Sequence, residues 1–137
     1  MSSEIAVAKV LVRNSQEDFL VVRETESKKW ELPGGKIKDG ENRFEAGSRE
    51  LEEETGIEAN SFEDVVRIEV EAENCVNCFI LLAEVIQPDV DLDRDELDNF
   101  RWVTPEEYRE IDWHADAGYG LPAMEYLDEY LAGDCRY

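Results

Sequence analysis

Positive charge is scarce in this sequence. Five lysines and nine arginines face 35 acidic residues, giving a formal net charge of −21 over 137 residues. So few cations among so many acids exclude the basic patch that a nucleic-acid polymer or an anionic membrane needs. Histidine is almost missing: His114 is the only imidazole, so no ordering of residues suggests a Ser-His-Asp site. The three cysteines, Cys75, Cys78 and Cys135, are odd in number and too few for a disulfide scaffold. A reducing cytoplasm is therefore the expected compartment. Cys75-Val76-Asn77-Cys78 is a CxxC without a second pair, and zinc would have to recruit Cys135 and His114 or carboxylates from afar. Thiols half-buried near a hairpin turn are the simpler expectation. No apolar run approaches the roughly 18 residues of a membrane span, and no basic-then-apolar leader opens the chain. No linker, repeat or low-complexity tract divides the sequence, so residues 1–137 are read as one domain, a monomer or a homodimer.

What is present is enough for a core. Hydrophobic residues make up 42% of the chain, with 3 Trp, 5 Tyr and 5 Phe, which rules out a disordered acidic tail. The acids are spread along the whole chain, and self-repulsion of that size destabilises a compact state in dilute buffer. Salt screens it, with a Debye length of about 3 Å at 1 M. A halophile-type acidic surface is the expected reading, against an ordinary acidic cytosolic protein. Thermal melts decide between them: the melting temperature is expected to rise from dilute buffer to molar KCl, and equal stability in both contradicts salt adaptation.

Periodicity places the elements. Ile5 to Arg13, rich in Val and Ala, and Phe19 to Arg23 read as strands joined by a turn at Asn14 to Asp18, a hairpin. Trp30 to Gly35 reads as a short extended piece ending in a glycine loop. Val66, Ile68, Val70 and Ala72 alternate with Arg67, Glu69, Glu71 and Glu73, a strand with one wet face. Phe79 to Ile86 is nearly all apolar and reads as a central strand, and Phe100 to Val103 as another. Asn42 and Glu45 form a capping box for a helix that Gly56 ends. Thr104-Pro105-Glu106-Glu107 repeats that start signal. A third helix covers Leu121 to Ala132, with Leu121, Met124, Leu127 and Leu131 at helical spacing. Hairpins mixed with helices imply an α+β or layered sandwich instead of a regular βαβ series.

The helix from Arg43 to Thr55 carries the chemistry. At about 100° per residue, Phe44, Ser48, Leu51 and Thr55 form one stripe that faces the sheet, with Gly47 at its edge. Glu50, Glu53 and Glu54, at i, i+3 and i+4, form a separate stripe, while Glu45 and Glu52 point to water. Like charges at this spacing cost about a few tenths of a kcal/mol per pair on a bare helix. A divalent cation neutralises them, and Mg²⁺ prefers such oxygen ligands while leaving room for substrate phosphates. The surrounding residues separate this stripe from a merely solvated acidic face. Gly35 is followed after five residues by Glu41, after seven more by Arg49-Glu50-Leu51, then by Glu53-Glu54, Gly56 and Ile57. The string reads G-x5-E-x7-R-E-[ILV]-x-E-E-x-G-[ILV] with every fixed position filled.

This string resembles the signature of the Nudix hydrolase family, the Nudix box. Trp30 to Gly35 resembles the family's entry into the box, and Phe100 to Val103 followed by Thr104 to Glu107 its usual strand-to-helix ending. The resemblance implies an α/β/α sandwich with a mixed sheet and the box on a loop–helix–loop. It also implies hydrolysis of a nucleoside diphosphate linked to a further moiety, using Mg²⁺ or Mn²⁺. Glu50, Glu53 and Glu54 match the metal-binding glutamates, and Glu41 an auxiliary carboxylate. Arg49 matches the arginine that orients them, the Gly34 carbonyl a backbone metal ligand, and Lys36 a residue that reaches the phosphates. Gly47 stands where the family commonly has Ala, at about 1 kcal/mol of helix propensity.

These roles agree with the chemistry, since phosphoryl transfer needs charge neutralisation and positioning more than covalent help. The sequence lacks the P-loop pattern G-x4-G-K-[ST]. The general base is expected to be Glu50 or another box glutamate, or Glu96 from outside the box. Glu96 follows the run Asp89-x-Asp91-x-Asp93-x-Asp95, which fails as an EF-hand loop because Arg94 stands where Gly is required. Trp30, Phe79, Trp113 and Tyr119 are the aromatics that could stack on a base. Position 72 is Ala, where ADP-ribose hydrolases carry a proline, and Asn74 to Asn77 lack the tyrosine of diadenosine polyphosphate hydrolases. The expectation is thus a nucleoside triphosphate, ordinary or oxidised, cleaved to monophosphate and pyrophosphate. ADP-ribose or dinucleotide hydrolysis, or a silent nucleotide-binding module, are the alternatives.

Overall fold

A computed structural model describes residues 5–70, 76–86, 89–114 and 117–132. Strand β1 (Ile5–Arg13) is the axis of the sheet. It runs parallel to β6 (Val76–Glu84), in register from Ile5↔Val76 to Arg13↔Glu84. Its other edge is shared. Strand β2 (Phe19–Glu24) meets β1 only at Arg13↔Phe19, beside a turn in which Asn14 Oδ1 accepts from the N–H groups of Gln16 and Asp18. The expected hairpin therefore forms only at its turn. Beyond it β2 pairs antiparallel with β3 (Trp30–Glu31) and with β7 (Leu97–Val103).

The vacated edge of β1 is taken by β4 (Gly34–Lys36), antiparallel through Val7↔Lys36, Ala8↔Gly35 and Lys9↔Gly34. The glycine stretch is thus a strand, not a loop. Its closeness to β1 requires glycine: a Cβ on Gly34, whose φ is +139°, would lie 2.0 Å from the Ala8 carbonyl oxygen. Strand β5 (Glu63–Val70) completes the sheet antiparallel to β6, with a bulge between Asp64 and Val66. It starts earlier than expected, and Glu71, Ala72 and Glu73 lie outside the described residues. Strand β6 also starts early and stops at Glu84, which leaves Ile86 exposed.

Both faces of the sheet are covered, so strand residues alternate between two cores instead of between core and water. On one side Val10, Val12, Leu20, Val22 and Ala83 pack around Leu51 of α1 (Arg43–Thr55). On the other, Leu11, Phe19, Val21, Ile80 and Leu82 meet Tyr108 of α2 (Pro105–Arg109) and Ala123, Met124 and Leu127 of α3 (Gly120–Leu131). The result is the expected α/β/α sandwich with a mixed sheet. Both capping boxes form, Asn42 with Glu45 and Thr104 with Glu107, and Gly56 ends α1 at a φ of 73°.

Two helix faces differ from expectation, each because a glycine allows close contact. At Gly47 a Cβ would lie 2.8 Å from Leu81 Cδ1, so α1 presses onto the sheet there. Its buried stripe becomes Ala46, Gly47, Leu51, Glu54 and Thr55, while Phe44 and Ser48 are only partly covered. That rotation carries Glu54 inward. At Gly120 a Cβ would lie 2.8 Å from the Trp113 ring, so Gly120, Ala123, Met124 and Leu127 face the core. Leu121 and Leu131 remain exposed. Cys78 is fully buried in β6, not half-buried, and burial pushes its thiol up to about 12. Cys75 and Cys135 lie outside the described residues.

Candidate active site

The box helix meets β4 at its acidic stripe, and one arginine organises three carboxylates there. Arg49 Nε and Nη2 donate to the two oxygens of Glu41, both at 2.9 Å. Its Nη1 donates to Glu50 at 2.9 Å and to Glu53 at 3.2 Å, and Nη2 also reaches the Lys36 carbonyl at 3.1 Å. A planar fork with fixed donor directions holds such a set better than a flexible ammonium does. The bonds from Arg49, with one from the Lys38 N–H, hold the Glu41 carboxyl down to about 2. Glu45 is spent on the capping box, and both it and Glu52 are exposed, as expected.

Glu54 differs from its neighbours. It is 5% exposed and accepts the Gly34 N–H at 2.8 Å. Desolvation pushes its carboxyl up to about 8, against the pull of Lys9 and the Gly34 N–H, with Glu50 and Glu31 adding repulsion. Glu50 stands over Gly35, where a Cβ would lie 2.7 Å from its carboxyl carbon. The Gly-Gly pair therefore lets one residue approach β1 and the next approach Glu50.

A cleft of about 600 Å³ opens beside these groups, lined by Gly34, Gly35, Lys36, Glu50, Glu54 and Glu96. Glu53, half-exposed, sits at the other side of Arg49, on the outer groove of α1. Glu96 is brought in by the acidic run before it. The Asp91 and Asp93 N–H groups bond the Thr55 and Glu54 carbonyls at 2.8 and 2.9 Å, docking that run on the end of α1. Partial desolvation, then Asp93, Glu50 and Glu31, raise the Glu96 carboxyl above its ordinary range.

The cleft also holds Glu24, Glu26, Glu31 and Asp95, which sequence reasoning missed. Glu31 is adjacent to the matched entry segment, and that proximity was the available signal. Glu24 and Glu26 arrive through the pairing of β2 with β3, which no spacing relative to the box reveals. The aromatics are placed elsewhere, and Trp30, Phe79, Trp113 and Tyr119 do not line the cleft. Trp30 lies near the guanidiniums of Arg23 and Arg101, at 5.8 and 5.7 Å. Phe79 lies on the α1 side, 5.8 Å from Arg43. Trp113 packs edge-on to Tyr108 at 4.8 Å, and Tyr119 is buried with its hydroxyl accepting the Leu32 N–H.

The donor set fits a hard divalent cation: carboxylates of Glu41, Glu50, Glu53 and Glu54 and the Gly34 carbonyl, all oxygen. Burial of Glu54 among like charges fits the same conclusion. Among the described residues no three such side chains already converge as a finished coordination sphere, and Arg49 holds three of the carboxylates instead.

Comparison with known proteins agrees with this geometry. The NUDIX domain model matches residues 3–124. An uncharacterised Nudix hydrolase of Yersinia pestis is 33% identical over 104 residues, 72% of this chain and 57% of that protein. A Bacillus subtilis protein whose name proposes 8-oxo-dGTP diphosphatase is 42% identical over 50 residues, 36% of this chain and 34% of its own. This chain thus spans little more than half the length of the first relative and a third of the second. The crystal structure of the MutT protein from Methanosarcina mazei Go1 has a TM-score of 0.79 at 25% identity, covering 98% of both chains. Nudix hydrolases generally use divalent metal ions. With the family signature complete and its helix, glycine strand and arginine clamp assembled on this sandwich, the chain belongs to the Nudix family.

Proposed function

We propose that the protein is a Mg²⁺-dependent pyrophosphohydrolase that cleaves a nucleoside triphosphate, ordinary or oxidised, into monophosphate and pyrophosphate. The observation that carries this reading is the Arg49 clamp, which gathers Glu41, Glu50 and Glu53 beside a cleft shared by Glu50, Glu54, Lys36 and Glu96. Glu41, Glu50, Glu53, Glu54 and the Gly34 carbonyl are the groups that would hold Mg²⁺, or Mn²⁺ in its place. When bound, the ion neutralises phosphate charge and acidifies a coordinated water.

The side chains do the rest. Arg49 keeps three like-charged carboxylates from springing apart. Lys36, on the cleft wall, meets the phosphate oxygens. In hydrolysis a water oxygen bonds to phosphorus, the bridging oxygen leaves with the departing group, and a carboxylate takes the water's proton. Glu96 is placed for that last task by the docked run 91–93, and a raised carboxyl suits a base that must hold a proton. For the substrate, the lack of the ADP-ribose and dinucleotide marks and the name of the Bacillus relative both favour a triphosphate.

A panel assay tests the substrate. Nucleoside triphosphates, oxidised dGTP, ADP-ribose and dinucleoside polyphosphates are incubated with the protein and Mg²⁺ in high salt, and the products identified. Monophosphate and pyrophosphate from a triphosphate are expected. Preferential release of AMP from ADP-ribose would reassign the substrate, and no cleavage of any compound would leave a silent binding module.

A further inference from the structure

Lys9 lies in the middle of β1, between apolar neighbours, and its ammonium is aimed under the segment that leads into the box. Its Nζ donates to the carbonyls of Leu32 at 3.1 Å and Gly34 at 3.3 Å, and lies 3.7 Å from Glu31 Oε1. The side chain is 12% exposed. Tyr119 lies beneath it, with the ammonium 5.7 Å from the ring centre. The rest of the segment is tied just as fully. Leu32 N–H bonds the Tyr119 hydroxyl, the Pro33 carbonyl accepts from Val10 N–H, and Gly34 N–H bonds Glu54. One cation therefore holds two carbonyls of the segment, and one of these is the carbonyl matched to a metal ligand.

We propose that Lys9 is a positioning residue, a built-in counter-cation that fixes the Gly34 carbonyl and offsets Glu54 and Glu31 before a divalent ion arrives. This rests on the metal-dependent reading of the cleft. Burial opposes a charge on Lys9, but Tyr119, Glu31 and Glu54 together keep it protonated. The ammonium and a divalent ion then share one carbonyl and one set of carboxylates, and repel each other. Removing the lysine charge has two opposite effects: the metal-free protein loses stability, because buried carboxylates lose their partner, and the ion binds more tightly. A merely structural lysine produces the first effect without the second.

The test uses Mn²⁺ as the probe, in the absence of substrate and in one high-salt buffer. Free Mn²⁺ is read by electron paramagnetic resonance, and melting temperatures are taken in EDTA and at saturating Mn²⁺. Lys9→Met is expected to melt below wild type in EDTA, to bind Mn²⁺ about tenfold more tightly, and to gain more from Mn²⁺ than wild type does. Lys9→Gln, which keeps donors but no charge, is expected to follow it, and decides by the same criterion if Lys9→Met does not fold in EDTA. Unchanged or weaker Mn²⁺ affinity, with the same loss of melting temperature in both conditions, would overturn the proposal. A wild-type protein that binds no Mn²⁺ would overturn the metal-dependent reading and the proposal with it.

Discussion

Glu50→Gln and Glu53→Gln each lower turnover by about 10²-fold or more, at near-wild-type melting temperature. The expected loss follows from their place on Arg49, at 2.9 and 3.2 Å, where a neutral amide removes both an ion-pair partner and a metal-ligating charge. Neither residue is fully buried, Glu53 being 51% exposed at its side chain, so little fold stability goes with them. Glu96→Gln is expected to lower turnover by about 10²-fold as well, the scale of a lost general base. Steady-state rates of pyrophosphate release measure all three. Near-full turnover in Glu96→Gln, with Glu50→Gln or Glu53→Gln inactive, would remove the loop from the chemistry and return the base to the box.

Gly34→Ala is expected to act on the fold itself. Its new Cβ would lie 2.0 Å from the Ala8 carbonyl oxygen and 2.8 Å from Lys9 Cα, both backbone atoms of the central strand that cannot step aside. The φ of +139° adds strain for any residue with a side chain. Overpacking and strain together cost about 4 kcal/mol, which for a chain of this size lowers the melting temperature by about 15 °C. Gly40→Ala separates the two causes, because Gly40 has a φ of +83° but nothing within 4 Å of a new Cβ. It is expected to cost about 1 kcal/mol. Equal melting temperatures for the two variants would show that β4 does not sit as tightly on β1 as described.

Much of this was legible in the sequence because the box is local. A helix, its caps and an i, i+3, i+4 carboxylate stripe are set by spacing within about twenty residues. Thus Arg49, Glu50, Glu53 and Glu54 could be named before any contact was known. What spacing could not show is how deep each carboxylate lies. Glu54 and Glu53 are chain neighbours, yet one is buried and the other half-exposed, and Gly47 makes the difference by letting α1 sink onto Leu81. The glycine strand was missed for a related reason: Gly34 and Gly35 carry no β-propensity, and their pairing with β1 is decided by the space beside Ala8. Lys9 was hidden by its setting, one charged residue in an apolar strand whose partners are backbone carbonyls more than twenty residues away. The aromatics were nominated by type alone, and type does not say which layer of a sandwich a ring fills.

The net charge of −21 includes the acids that line one cleft, and a phosphate substrate cannot enter such a cleft unless cations are there first. The most direct measurement is therefore hydrolysis of a nucleoside triphosphate by wild-type protein stripped with EDTA and dialysed into metal-free high-salt buffer, before and after Mg²⁺ is restored. No turnover without metal, and release of monophosphate and pyrophosphate in proportion to Mg²⁺ occupancy, is the expected result. Turnover that persists in metal-free buffer would contradict the account.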